Sequence, residues 1–291
     1  MNDFFSKLEN FFFDILGLIL PGAVFLLILL SPVLFVDMGR IGKIADTSVV
    51  LSALVTIWTI LKTYWASNPK SVLTIIAILA YLIGHTIKVF SRIKYEFLTA
   101  FFDKFIDKWV ERLYNKCRDW VFPSKTSKTY LQLKELFSPF KSLISAIFTF
   151  DIVYYTKSDE AIRQNCLDQL DDRLGMDISR DKYSIVKISS VITNQENLRS
   201  LGTFFLAKYN LYRSLALIFL FTIFYYLCFF RTVKDLLTGT SQELSHAIIM
   251  VSILLWFTFH AKYKRYWTFY GSERLITLFY FLNKKKINER G

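Results

Sequence analysis

The chain has 291 residues, 53% of them hydrophobic and 18% aromatic, and its 36 Lys and Arg against 24 Asp and Glu give a net charge of +12. The apolar residues lie in blocks long enough to cross a bilayer, two near each end, with a charged stretch of about 120 residues between them. This excludes an ordinary globular enzyme, and the three widely spaced Cys (Cys117, Cys166 and Cys228) exclude a disulfide framework or a zinc pattern. What remains is one membrane domain plus one modest cytoplasmic domain.

The first apolar block, residues 11–36, carries one charge, Asp14, and at about 1.5 Å per residue exceeds the hydrocarbon core of about 30 Å. Residues 1–10 are acidic rather than basic and no small-residue cleavage pattern follows the block, so this span is expected to be retained. Within it Gly17, Pro21, Gly22 and Ala23 weaken the helix and permit a kink or close helix approach, the alternative being ordinary packing. Residues 47–65 are apolar but dotted with Thr47, Ser48, Ser52, Thr56, Thr59 and Lys62. They read as an interfacial or re-entrant helix more than as a true span. The second span, residues 71–90, is charged only at Lys88, and Ala77, Ala80 and Gly84 give it a small-residue side suited to helix packing within or between subunits.

That helix is expected to continue past the membrane. Phe97, Phe101, Phe105, Trp109, Leu113 and Cys117 recur every fourth residue, and no Pro or Gly interrupts residues 86–122, so one helix of roughly 75 Å is predicted over residues 71–122. Its other face, with Asp103, Lys104, Asp107, Lys108, Glu111 and Arg112, reads as solvated. Pro123 ends it, and shorter helical patterns follow at 130–137, 141–155 and 159–174, the last closed by Gly175. Residues 183–192 read as helix or loop, because a lone strand has nothing to pair with. Thr193 and Glu196 have capping-box spacing and are expected to start a helix that runs through Tyr209 into the third span, residues 211–230. The fourth span, residues 244–260, holds no charge.

The fold class is therefore all-α: a helical membrane protein of four spans, or five if residues 47–65 also cross, with a helical cytoplasmic domain inserted between spans two and three. The parts are a first membrane half (1–90), the cytoplasmic domain (91–210), a second membrane half (211–261) and a basic aromatic tail (262–291). Residues 91–210 hold 19 basic and 15 acidic side chains, and 262–291 hold 8 against 2, so the positive-inside rule places both in the cytoplasm. The inner membrane of a bacterium is the expected location, with the side of the N-terminus set by the number of spans.

No phosphate-binding glycine loop, nucleophile elbow or paired-histidine metal motif is present, so no enzymatic activity and no cofactor or metal are expected. His85, His246 and His260 are far apart in sequence. His85 and Lys88, leaving the second span, and Tyr209, Asn210, Tyr212 and Arg213, entering the third, fall at one level and suit either a cytoplasmic gate or anion site, or snorkelling anchors. A soluble anionic ligand would be sought at Arg92, Lys94, Arg199 and Lys208. In the tail, Lys264, Arg265, Lys284, Lys285 and Lys286 alternate with Tyr263, Tyr266, Trp267, Tyr270, Phe279 and Tyr280. Cations among rings can bind single-stranded nucleic acid, but directly after a span they favour anionic lipid headgroups.

The elements F-F-D-I-L-G-L-I-L-P-G-A in the first span, Y-L-I-G-H in the second and Y-N-L-Y-R-S-L opening the third resemble a loose group of bacterial inner-membrane proteins. Some of these are similar to membrane effectors of antiphage defence, which open or disrupt the membrane when a sensor partner signals infection. The resemblance covers three short pieces and carries over no functional residue. With it, the absence of catalytic chemistry and the long helices that join the cytoplasmic domain to the spans lead to the expectation of a homo-oligomeric channel or pore-type effector, controlled through that domain by a nucleotide, a nucleic acid or a sensor protein. The alternative is a membrane-tethered scaffold that recruits a cytoplasmic partner without conducting.

Overall fold

The computed structural model describes residues 15–35, 49–121, 156–174, 182–196, 201–233 and 239–288. Among them every element is helical. A π turn (Ile15–Ile19) leads into α1 (Leu20–Leu30), which closes in a 3-10 turn (Ser31–Phe35); α2 (Val49–Ser67) and α3 (Pro69–Val121) follow. A second 3-10 turn (Lys157–Asp159) precedes α4 (Glu160–Leu174), and then come α5 (Lys182–Gln195), α6 (Gly202–Val233) and α7 (Gly239–Asn288). Among the described residues three helices are long and apolar enough to cross a membrane, over Pro69–Tyr95, Gly202–Phe229 and Gln242–Lys284. An apolar solvent allows this because a helix satisfies its own backbone polar groups.

The chain divides into two compact units, Met1–Lys88 with Val153–Gly291, and Val89–Ile152. In the second unit Lys108, Arg112 and Lys116 of α3 are exposed at four-residue spacing, as a solvated helix face requires. The side chains of the expected stripe from Phe97 to Cys117 lie outside the described residues, as do the patterns at 130–137 and 141–155 and the closing Gly175.

In the first unit the expected first span is a short, irregular helix rather than a long regular one. Pro21 follows directly on the π turn, and its missing N–H interrupts the regular hydrogen-bond ladder where that turn passes into α1. Of the expected alternatives, close helix approach is the one present. A side chain on Gly22 would land on the Ala80 carbonyl, and one on Gly84 would land on the Leu18 carbonyl. The pairs 22 with 80 and 18 with 84 make α1 antiparallel to α3, with the backbones nearly touching. The small side of α3 is thus used within the chain. Ala77, further along the same side, is exposed.

The 3-10 end of this segment packs by Val33 against Leu54 and Val55 of α2. Two of the hydroxyls that made α2 look polar, with Thr63 beside them, are turned onto its own backbone: Thr56, Thr59 and Thr63 donate to the carbonyls of Ser52, Val55 and Thr59, each at 2.9 Å. A helix so arranged presents few polar demands to its surroundings.

Two cores organise the rest of the unit. Ile87 of α3 joins Leu211, Leu215 and Ile218 of α6, with Val24 and Phe25 of α1 and Phe259 of α7 against them. The other core unites Cys166, Leu167 and Leu170 of α4, Ile185 and Val186 of α5, and Tyr270, Leu275, Leu278 and Leu282 of α7. The basic aromatic segment after residue 262 is therefore the continuation of α7, with its apolar stripe inside a helical core. Residues 183–192 are helix, within α5. The capping-box expectation fails: Thr193 lies in the last turn of α5, its hydroxyl donating to the Ser189 carbonyl at 2.6 Å, and the next helix starts at Gly202. Thr and Glu three apart fit the end of a helix as well as its start when the Thr hydroxyl bonds backward along its own helix.

Asp159 ties the start of α4 to α7. Its Oδ2 accepts from the Thr156 backbone N–H at 3.0 Å, the Thr156 hydroxyl at 2.6 Å and the Ser272 hydroxyl at 2.5 Å. Burial alone would raise the Asp159 pKa, but the hydrogen bonds from Ser272 and Thr156 outweigh it and hold the carboxyl below its ordinary value. In the same core, burial pushes the Cys166 thiol up to about 11, which keeps it protonated and unreactive.

Candidate functional site at the α6–α7 junction

The polar group expected where the third span begins is present in part. Arg213 is buried on α6, 7% exposed, and donates from Nη1 to the Tyr209 hydroxyl at 3.1 Å and from Nη2 to Asn210 Oδ1 at 3.3 Å. Both partners lie on its own helix, three and four residues back, which is the spacing that places side chains over one another. The guanidinium also sits 4.9 Å from the centre of the Tyr209 ring. A cation over a ring face is worth about 0.5–2 kcal/mol according to how dry the site is.

Helix α7 closes the cluster from the other side. Trp267 and Tyr263 lie 4.5 and 6.0 Å from the Tyr209 ring, and His260, 1% exposed, meets Tyr263 edge-on at 5.1 Å. A second layer runs beside it. Tyr212 stacks on Phe259 and Tyr266 at 5.8 and 5.3 Å, and Lys208 lies over Phe204 at 4.2 Å with its ammonium 3.4 Å from the Tyr266 hydroxyl. The arrangement buries a positive charge between two helices and supplies it with oxygen and π partners, so it can hold the helices in register or host an anion displacing one of those partners.

The remaining expected residues are not all brought here. His85 is exposed on α3 with its ring edge-on to Tyr81 at 4.7 Å, and Lys88 is half-buried. Arg92 is exposed, and Lys94 is half-buried with its ammonium 4.7 Å from the Tyr95 ring centre. Arg199 lies outside the described residues, as do the side chains of Lys285 and Lys286. In the tail Lys264 is half-buried, Lys284 is exposed, and Arg265 is exposed with its guanidinium 5.2 Å from the Phe269 ring. The rings of Tyr263, Trp267 and Tyr270 face helices of this chain, which removes the stacking platform that a base would need at those positions.

Three contributors escaped the sequence reading as members of this site. His260 was visible only as one of three histidines far apart in sequence, and Trp267 only as a ring of the tail. Arg274, 4% exposed, continues the inward register of Tyr263, Trp267, Tyr270 and Leu278 in steps of three and four, and an arginine in an apolar stripe was the signal that identified it. Among the described residues no three His, Cys, Asp or Glu side chains gather as a metal site. A groove of about 460 Å³ between α1, α6 and α7 is lined mainly by apolar side chains such as Leu27 and Val251. Its Ser31 and Tyr226 hydroxyls bond each other and Thr222 bonds the Ile218 carbonyl, so these groups are committed within the protein. No family model, no curated protein and no solved structure matches the chain.

Proposed function

We propose that the chain is the subunit of a homo-oligomeric, ion-conducting effector of a bacterial defence or toxin-like system. It crosses the inner membrane four times, keeps its central segment and C-terminus in the cytoplasm, and is opened from that side by a nucleotide, a nucleic acid or a sensor protein. One observation carries this reading: α6 and α7 each combine an apolar membrane-length stretch with residues of the helical core built on α4 and α5. A ligand or partner that shifts this core moves two spans directly, since each helix is a single rigid element from one compartment to the other. The buried Arg213 cluster lies between the same two helices, where such a shift is felt. Within one chain the α6–α7 interface is filled by stacked rings, so a conducting path needs several copies around an axis.

Current across planar bilayers containing the purified protein tests this. Discrete conductance steps that respond to a cytosolic extract from infected cells are expected. Silent bilayers, with the protein correctly inserted and still retaining a cytoplasmic partner, would instead establish a membrane-tethered scaffold.

A further inference from the structure

The cations of α7 are divided among its faces, and two of them meet a third cation from α6. Lys262 and Arg265 are exposed and three residues apart, so with Tyr266 and Phe269 they share one face of α7. Phe204, Lys208 and Tyr212, at steps of four, share one face of α6. The two faces are continuous. The Tyr266 ring lies 5.3 Å from Tyr212 and 6.2 Å from Phe205, and the Lys208 ammonium is 3.4 Å from the Tyr266 hydroxyl. Each cation lies against a ring: Lys208 over Tyr266 at 5.1 Å, Lys262 over Tyr212 at 6.0 Å and Arg265 over Phe269 at 5.2 Å. A ring holds a cation in place without neutralising it. Among the described residues none of the three has a carboxylate partner. Helix α6 contains no acid, and the nearest along α7, Glu273, accepts the Leu201 N–H at 3.0 Å.

We propose that this two-helix face is a docking site for the headgroup of an anionic phospholipid. Position along the helices selects a lipid over a soluble anion. Residues 214–230 of α6 and 244–261 of α7 carry no Asp, Glu, Lys or Arg, and the two helices run antiparallel, since Tyr209 meets Trp267 while Phe219 meets Phe259. The three cations therefore stand together at the same end of both uncharged runs, where an apolar surface gives way to a polar one. Next to them the ring surface continues toward the uncharged runs: Tyr212 stacks on Phe259 at 5.8 Å and Phe259 on Phe219 at 5.5 Å. A molecule with a phosphate at one end and hydrocarbon at the other matches this order of surfaces. Its phosphate oxygens meet the ammonium and guanidinium groups, and its chains lie on the rings. A nucleotide would leave the apolar part uncovered. One headgroup held by Lys208 and Lys262 joins α6 to α7. The site rests on the membrane-spanning reading and deepens it by naming the lipid that this end of the spans takes; because binding is measured without current, failure here and failure of conduction are separable.

The test uses the full chain in detergent micelles, titrated with phosphatidylglycerol or phosphatidylcholine and read by native mass spectrometry. Preferential retention of phosphatidylglycerol is expected. Neutralising one cation, in Lys208→Gln, Lys262→Gln or Arg265→Gln, should weaken that retention about five-fold each. Arg265→Lys keeps the charge and should restore most of what Arg265→Gln loses. Lys284→Gln removes an exposed cation about 28 Å further along the same helix and should leave retention intact. Equal retention of the two lipids by the wild type, or folded variants that retain phosphatidylglycerol as the wild type does, overturns the site. A loss in Lys284→Gln as large as in the other three also overturns it, by reducing the binding to diffuse attraction between a basic chain and an anionic lipid. Displacement of the lipid by an equal concentration of inorganic pyrophosphate would identify a soluble anion as the occupant and overturn the lipid.

Discussion

The α1–α3 contact and the α4–α5–α7 core belong to one chain but are held by different physics. The first has almost no side chain at its centre: Gly22 and Ala80, and Leu18 and Gly84, bring two backbones nearly into contact. The second is filled by leucine, isoleucine, valine and tyrosine. Close approach of two backbones stabilises by dispersion over many short contacts, whereas interdigitated large side chains stabilise by the apolar area they bury. The contrast predicts opposite sensitivities. One region tolerates no added atoms, and the other tolerates no removed ones.

The largest effect is expected from Leu278→Ala. Leu278 is fully buried, and its truncation should cost about 2–5 kcal/mol, read as a lower melting temperature in detergent. Leu82→Ala, on an outward side of α3 with 56% exposure, should change little. Equal losses at the two positions would break the comparison.

Asp159→Ala removes three hydrogen bonds to a charged group and should cost about 1.5–3 kcal/mol. The sign of its pH dependence follows from a folded pKa below the ordinary 3.8. The stabilisation is complete above that ordinary value and is lost as pH falls through the folded value. A melting curve series from pH 7 to pH 3 should show this loss in the wild type and a flatter profile in Asp159→Asn. The same acid dependence in both would remove Asp159 from the account.

Gly84→Leu sharpens the α1–α3 side of the comparison. Overpacking costs about 1–3 kcal/mol, here because the Leu18 carbonyl must move away. Gly17→Leu is the matched control, since a Cβ there has nothing within 4 Å. Protease sensitivity of α1 should rise in the Gly84 variant only. The smallest effect belongs to Tyr225→Phe, which deletes a 3.0 Å hydrogen bond to the Leu29 carbonyl and should lower stability by about 1 kcal/mol.

The apolar blocks made the long helices legible, because a run of about 20 uncharged residues has few other uses. Residues 71–90 fall inside Pro69–Tyr95 and 244–260 inside Gln242–Lys284. The limits of legibility were partners rather than elements. Ala77 shares a side with Gly84, but the backbone approach of this segment to α3 is seen at Leu18 and Gly22; further along, Phe25 packs into another cluster and Ala77 is left exposed. The aromatic stripe of α7 was hidden among Lys262, Lys264 and Arg265, whose charges dominate a reading by composition although the rings between them face inward. In the candidate site, Tyr209, Asn210 and Arg213 could be grouped from their spacing, because their contacts lie within one helical turn. Tyr263, Trp267 and Arg274 depend on how two distant helices pair, and single-sequence periodicity gives the face of a helix without the face it meets.

The broken end of α1 sets an order of events for folding. The Leu29 carbonyl and the Ser31 hydroxyl, beside the change from α to 3-10 geometry, are engaged by Tyr225 and Tyr226 of α6, which are 196 and 195 residues later in the chain. Contacts between segments so far apart in sequence form slowly, because the loop between them must close first. The end of α1 is therefore completed only when α6 docks on it, and a variant that slows this docking would leave α1 unfinished while the local helices are already formed.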